Sequence, residues 1–299
     1  MKAVQFAAYG GPEVLEVVEV DEPQAGPGQL RISVRATGVN PFDAKLRSGA
    51  LAQRMPVALP RTVGTDVAGI VDQVGAGAAG EVGDAVVGFA DDGAAAELAL
   101  VTAWIPLPAA LSFPQAAALP VAVDAATRVL DLLALPAGST LLVNGAAGGV
   151  GVFAVQLAVA RGLTVIGTAS PPNHAFVRSL GATAVAYGPH LRRDVQALTG
   201  TVHGAMDAAG AGALPDLVAL TGSADRVVTI ADPAAAALGV RFSGGAGPRG
   251  TAGLTAAAAL AAQGRLIVPI AATYPLDGLP DAHREIETGH VRGKLVVEL

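Results

Sequence analysis

The segment with the clearest chemical content is Val143-Asn-Gly-Ala-Ala-Gly-Gly-Val-Gly151. Within it, Ala146-Ala-Gly148-Gly-Val-Gly151 is a variant of the G-x-G-x-x-G fingerprint with alanine in the first place. It leaves an apolar run that reads as a buried strand and opens an apolar helix. In that setting small residues let the backbone approach a pyrophosphate. The helix start then offers unpaired N–H groups and a positive dipole end to the phosphate charge. Ala147, Gly148, Gly149, Val150 and Gly151 are therefore the expected phosphate cradle of a dinucleotide. Glycines that only make a tight turn are the less favoured reading, given the strand before them and the helix after.

The next strand reads on the ribose. Sites that prefer NAD place an acid about 20 residues past the glycines, on the 2′-hydroxyl. Here the strand ends Val165-Ile-Gly-Thr-Ala-Ser170 with no acid. A carboxylate would repel a 2′-phosphate, whereas its absence and the Ser170 hydroxyl both permit one. NADPH is thus the expected cofactor, with Thr168, Ser170 and His174 beside its ribose and Arg178 a further basic candidate. A purely structural role for Ser170, capping a helix with Pro171 at its first position, explains the same residues equally well.

Other candidates are more ambiguous. In Asn40-Pro-Phe-Asp43, Asn40 suits a helix cap, Pro41 the first helical position and Asp43 the positive end of the dipole. Alternatively, Asn40 directs its amide at nicotinamide, ribose or a substrate carbonyl, as a catalytic residue. Tyr9 is the second catalytic candidate, through its hydroxyl, against a surface packing role. Asp207, in Ala205-Met-Asp-Ala-Ala-Gly210, and Ile230-Ala231 each fall at the end of a strand, where cofactors sit. Asp207 is expected to order a loop more than to touch the cofactor. His290 and Arg292 are expected to be structural, and the remaining histidines to be solvated. No Ser–His–Asp, Cys–His or paired-carboxylate arrangement emerges. That suits a reaction in which a cofactor carries the hard chemistry and the protein orients it.

The elements that must position these residues form two groups. Up to about Pro120 the chain is β-rich: Lys2-Ala-Val-Gln-Phe6, Val14-Leu-Glu-Val-Val-Glu-Val20, Leu30-Arg-Ile-Ser-Val-Arg-Ala36, Gly69-Ile-Val-Asp-Gln-Val74 and Ala85-Val-Val-Gly88, with turn clusters between them. This predicts a small barrel or sandwich. Beyond Pro120 the order becomes strand–helix repeats: Leu141-Leu-Val143, a helix over 149–161 ended by Gly162, Leu163-Thr-Val-Ile166, Ala205-Met-Asp-Ala208 and Arg226-Val-Val-Thr-Ile230. That order predicts a doubly wound parallel sheet. A polar helix and Lys294-Leu-Val-Val-Glu298 close the chain, and residues 244–250 read as a loop or hinge. The expected division is 1–122 with 267–299 for the first domain, and 123–266 for the second.

Composition excludes several classes. The 299 residues are 52 % hydrophobic with a net charge of −6 and no basic run, which argues against nucleic-acid binding. There is no cysteine, so disulfides and thiolate zinc sites are excluded, and no metal is expected. Gly, Pro or a charge interrupts every apolar run before about 18 residues, so no membrane partner is expected. No signal peptide is read at the N-terminus, and the chain is expected in the cytoplasm.

Asn144-Gly-Ala-Ala-Gly-Gly-Val-Gly151 resembles the nucleotide loop of the zinc-independent quinone oxidoreductases, the zeta-crystallin-like branch of the medium-chain dehydrogenases/reductases. Other segments agree in order along the whole chain. They are Tyr9-Gly-Gly-Pro-Glu-Val-Leu-Glu16, Gly38-Val-Asn-Pro-Phe-Asp43 with Arg47-Ser-Gly49, Gly64-Thr-Asp-Val-Ala-Gly69, Thr168-Ala-Ser170, Leu180-Gly-Ala182 and Gly289-His-Val-Arg-Gly-Lys-Leu-Val297. The resemblance implies an α/β protein with a GroES-like catalytic domain, a Rossmann domain and a site in the cleft between them. It also implies hydride transfer from NADPH to a quinone or an α,β-unsaturated carbonyl in a homodimer. Two positions depart from the family pattern: Ala125 stands where a threonine is usual near the nicotinamide, and Pro171-Pro172 where a basic residue is usual. An enoyl reductase acting on a polyketide-like intermediate is the alternative activity, and a non-catalytic NADPH-binding redox sensor the alternative class.

Overall fold

The protein is described here by a computed structural model covering residues 1–244 and 249–299. It divides into two compact units, Met1–Val121 with Arg249–Leu299, and Ala122–Pro248. Residues 249–266, expected with the second domain, group with the first unit, where the helix Ala252–Ala262 lies. The expected hinge at 244–250 falls largely on residues 245–248, outside the described residues.

The first unit begins with β1 (Lys2–Phe6), β2 (Glu16–Glu19), β3 (Leu30–Val39), β4 (Arg61–Thr62), β5 (Asp66–Val74), β6 (Ala85–Ala90) and β7 (Leu98–Pro106). The strand expected from Val14 starts later, because Pro12 fixes a short 3-10 turn over Pro12–Val14. β3 alternates buried and half-exposed residues over Leu30–Val34 and is nearly all buried beyond Ala36. Its first half lines a core with Val67, Val71, Val86 and Val101, and β7 pairs back onto β3, so the sheet curls on itself. That is the barrel-like end of a GroES-like domain.

The second unit carries β8 (Thr140–Asn144), β9 (Thr164–Ala169), β10 (Thr183–Ala186), β11 (Gly204–Asp207), β12 (Val227–Thr229) and β13 (Arg241–Phe242), all parallel, in the spatial order β10-β9-β8-β11-β12-β13. β8 is buried at every position. Strands are added to one side of it, then to the other, so its carboxyl end is the topological switch point of a Rossmann-like sheet. The helix Gly151–Ala160 follows it, with Gly151–Ala158 buried, which explains why its sequence is apolar all round. Its end is set by Gly162 at φ +78°, a left-handed conformation that favours glycine.

The chain then returns to the first unit with β14 (Ile270–Pro275), the helix Leu279–Glu287 and β15 (Lys294–Glu298). β15 pairs antiparallel with the second half of β3, placing Val296 opposite Gly38. The terminal strand is thereby part of the first unit's sheet, and Leu295 and Val297 pack with Val4, Phe6 and Leu279. No helix among the described residues is long and apolar enough to cross a membrane.

Candidate functional site

The glycine loop leaves β8 at the switch point. Gly145 has φ +83°, and its carbonyl accepts the Gly148 N–H at 3.1 Å. A Cβ on Gly151 would lie 2.0 Å from that carbonyl oxygen, so the tight return of the loop into the helix requires glycine there. Gly148 differs: a Cβ would meet only the Gly145 oxygen, at 3.5 Å. The fold therefore tolerates a side chain at 148, while the loop surface does not stay bare. The N–H groups of Ala147, Gly149 and Val150 donate to no protein acceptor among the described residues. Residues 148–150 are part-exposed at the head of a ten-residue helix. Free donors, a helix start and an open loop face fit a dinucleotide pyrophosphate.

Behind the loop lies a buried polar network that joins the carboxyl ends of four neighbouring strands. Thr168, Asn144, Asp207 and Thr229 are each at most 4 % exposed. The Thr168 hydroxyl accepts the Gly145 N–H at 3.0 Å and donates to Asn144 Oδ1 at 2.7 Å. Asn144 Nδ2 donates to Asp207 Oδ1 at 2.8 Å, which also accepts the N–H groups of Ala209 and Gly210. Thr229 donates to Asp207 Oδ2 at 2.7 Å, and its oxygen accepts the N–H groups of Ala231 and Asp232. Asp207 thus orders its own loop, as expected, and its carboxylate is directed into the network. Thr168 likewise turns its hydroxyl inward. Ile230 and Ala231, both part-exposed, present the end of β12.

Ser170 heads the short 3-10 turn Pro171–Asn173, with no backbone cap bond from its hydroxyl. Its oxygen instead accepts from Asn173 Nδ2 at 3.2 Å. His174 Nε2 is 3.1 Å from the Ala169 carbonyl, which ties the imidazole to the end of β9. Arg178, four residues on, is exposed. The strand end therefore carries a serine hydroxyl and no acid.

In the first unit, Asn40 occupies the N-cap position of the helix Pro41–Arg47 without a side-chain cap bond, and Asp43 Oδ2 accepts the Asn40 N–H at 2.9 Å. The Asn40 side chain does something the cap pattern does not foretell. Its Nδ2 donates to Asp66 Oδ2 at 2.9 Å, and its Oδ1 accepts from the Lys294 ammonium at 2.5 Å. Lys294 also lies 3.2 Å from Asp66. The other Asp66 oxygen accepts the N–H of Val121, the last residue before the chain enters the second unit. Asp43 receives the Thr65 hydroxyl at 3.2 Å. Two carboxylates and one ammonium thus share a buried cluster. Burial, reinforced by the nearby Asp66 charge, raises the Asp43 carboxyl to about 7, against the opposing pull of the Asn40 N–H and Lys294.

Tyr9 is 38 % exposed, and its ring packs on Gly49 and lies 6.3 Å from that of Phe6. Its loop is held by Arg47, whose guanidinium donates to the Gly10 carbonyl at 2.9 Å and pairs with Glu287. His283, one turn before Glu287, is also buried. This corrects the expectation of a solvated histidine: its helix lays that face against Arg47, and the imidazole is 1 % exposed. Burial, and then the Arg47 charge, lower it to about 4. Asn144, Thr229, Asp66 and Lys294 were missed as network members, and His283 as a buried residue. The one signal available was that Lys294 is one of only three lysines in the chain.

Ala125 is buried on the helix Pro120–Leu133, and its neighbour Asp124 pairs with Arg128 at 3.2 Å. Among the described residues no three His, Asp or Glu side chains come together to hold a metal ion.

Comparison with known proteins agrees with this architecture. The alcohol dehydrogenase GroES-like domain family matches residues 26–108, and a family described as zinc-binding dehydrogenase matches residues 180–297. A quinone oxidoreductase of Rattus norvegicus is 44 % identical over 177 residues, 56 % of this chain and 53 % of that protein. The chain spans about half the length of the curated relatives it matches. Among solved structures, the quinone oxidoreductase of Coxiella burnetii is 32 % identical with a TM-score of 0.89, over 100 % of this chain and 99 % of that one. The Escherichia coli quinone oxidoreductase complexed with NADPH is 26 % identical, with a TM-score of 0.85 over 100 % of both chains. The chain belongs to the medium-chain dehydrogenase/reductase superfamily, alongside its quinone oxidoreductases.

Proposed function

We propose that this protein is an NADPH-dependent reductase of quinones or conjugated carbonyls that works without zinc. The observation that carries the reading is the glycine loop at the switch point, with three N–H groups that have no protein acceptor among the described residues and a neighbouring strand that ends in Ser170 rather than an acid. Ala147, Gly149 and Val150 would hold the pyrophosphate, and Ser170 the ribose 2′-phosphate, with Arg178 the nearest exposed cation on the following helix. Ile230 and Ala231 would border the nicotinamide. Bound NADPH would supply the hydride. The protein's own part is to bind, orient and desolvate. A quinone takes its protons from water, so the absence of a strong general acid is no obstacle. A conjugated carbonyl needs a proton at Cα, from water or from the Tyr9 hydroxyl. Asn40 is the residue proposed to polarise or orient the substrate, with its amide fixed by Lys294 and Asp66. By the same family reading, the protein acts as a cytoplasmic homodimer on a small molecule.

The test is stopped-flow oxidation of NADPH with a panel of quinones and enones, in chelator-treated buffer. Turnover of at least one quinone at an unchanged rate after metal removal is expected. NADPH binding without turnover of any acceptor would instead make the protein a redox sensor.

A further inference from the structure

Hydrogen-bond direction gives the buried network a role beyond packing. Each threonine hydroxyl has one proton, and both are directed inward: Thr168 donates to Asn144, and Thr229 donates to Asp207. The lone pairs of each hydroxyl are therefore left to receive backbone N–H groups, Gly145 on one side and Ala231 with Asp232 on the other. Asn144 passes the first arm on to the same carboxylate. Asp207 is the common acceptor, 0 % exposed, with four neutral donors and no cation paired to it among the described residues. Burying a carboxylate is costly unless it is hydrogen-bonded, and here four donors surround it. Mere packing of four strand ends would be met more cheaply by valine and leucine.

We propose that Thr168 and Thr229 are positioning residues for the cofactor, setting the backbone of the glycine loop and of residues 230–232 through their shared partner Asp207. This rests on the dinucleotide reading given above. Gly145 is the pivot on the first arm. Its N–H is held by Thr168 and its carbonyl by Gly148, and a Cβ on it would meet Ala209, in the loop that Asp207 orders, at 2.9 Å. Displacing Gly145 thus moves the free donors of Ala147, Gly149 and Val150. The second arm fixes the strand end proposed to border the nicotinamide. The two arms are expected to act on different kinetic quantities, although both end on one carboxylate.

The test uses the full-length protein with Thr168→Val, Thr168→Ser, Thr229→Val and the double valine variant. NADPH affinity is read by fluorescence, kcat with the best quinone, and folding by thermal melts. Thr168→Val should raise the NADPH Kd about tenfold, the size expected when one buried N–H loses its acceptor. Thr168→Ser, which keeps the hydroxyl, should restore affinity to within about twofold on the same grounds. Thr229→Val should lower kcat with little change in NADPH Kd. The double variant should combine the raised NADPH Kd of the one with the lowered kcat of the other. If Thr168→Val does not fold, the Thr229→Val split decides alone: a kcat loss with NADPH Kd intact supports the proposal, and any other pattern overturns it. Wild-type affinity in Thr168→Val, or equal damage from serine and valine, would also overturn it, while leaving the dinucleotide reading intact. Failure of the wild-type protein to bind NADPH would overturn both.

Discussion

The ammonium of Lys294 lies 3.2 Å from the carboxylate of Asp66, although 228 residues separate them in the chain, and both are almost wholly buried. The pair joins the terminal strand to the start of β5, and Asn40 bonds to both partners. Removing one member strands a buried charge, which costs roughly 3–5 kcal/mol. Lys294→Met should therefore destabilise the protein by that order in urea unfolding. The Lys294→Met, Asp66→Leu double variant should be less destabilised than the sum of the single variants. Additive losses would mean that the two charges do not depend on each other.

Asp43 makes stability depend on pH. Its carboxyl is raised to about 7 in the fold from the ordinary 3.8, so the folded protein holds the proton more tightly. The resulting stability is fully present below about pH 4 and is lost as pH rises through 7, by a few kcal/mol at most. Asp43→Asn retains an oxygen for the Asn40 N–H and has no proton to lose. Its stability should fall less than that of the wild type between pH 4 and 7. Parallel profiles for the two proteins would contradict this origin.

His283 acts in the opposite sense over the same range. Its imidazole is lowered to about 4 from 6.5, so the fold favours the neutral form. The stability it contributes is present above about pH 6.5 and is lost as pH falls through 4. Beside it stand Arg47, which disfavours a second positive charge, and Glu287, which pairs with Arg47. His283→Gln should flatten the acid side of the stability curve. Between pH 4 and 7 the slope of the denaturant midpoint against pH should therefore change in opposite directions in His283→Gln and Asp43→Asn relative to the wild type.

On the function proposed above, Ser170 is the residue that sets the cofactor preference. An aspartate at the end of β9 would face a 2′-phosphate with like charge, yet could accept from a 2′-hydroxyl. Ser170→Asp should weaken NADPH binding about tenfold or more, and NADH much less, since one unfavourable contact of about 1.4 kcal/mol is a factor of ten. Equal loss for both cofactors would show that residue 170 does not face the ribose.

How much of this was legible in sequence depended on locality. The glycine loop could be read because its strand, turn and helix are contiguous, and Gly151 could be assigned a steric role before its 2.0 Å approach to Gly145 was known. The cap formed by Asn40 and Asp43 was equally local. Lys294 bonding Asn40 could not be read, since it depends on β15 pairing with the second half of β3 across most of the chain. Asn144, Thr168, Asp207 and Thr229 sit at the ends of four strands whose spatial order differs from their order in sequence. Two of them were picked out singly, and their connection came only with the sheet. His283 looked solvated because its helix is polar overall, and only tertiary packing identifies which face is covered.

The most direct test of the account is cofactor titration of the wild type and of Gly148→Val, with thermal melts of both and of Gly151→Val. The open space at 148 and the 2.0 Å approach at 151 set the expectation. The wild type should bind NADPH more tightly than NADH. Gly148→Val should keep the melting temperature and lose the cofactor, while Gly151→Val should lose both. Unchanged NADPH affinity in a folded Gly148→Val protein would mean that the dinucleotide does not lie on this loop, and would contradict the account at its centre.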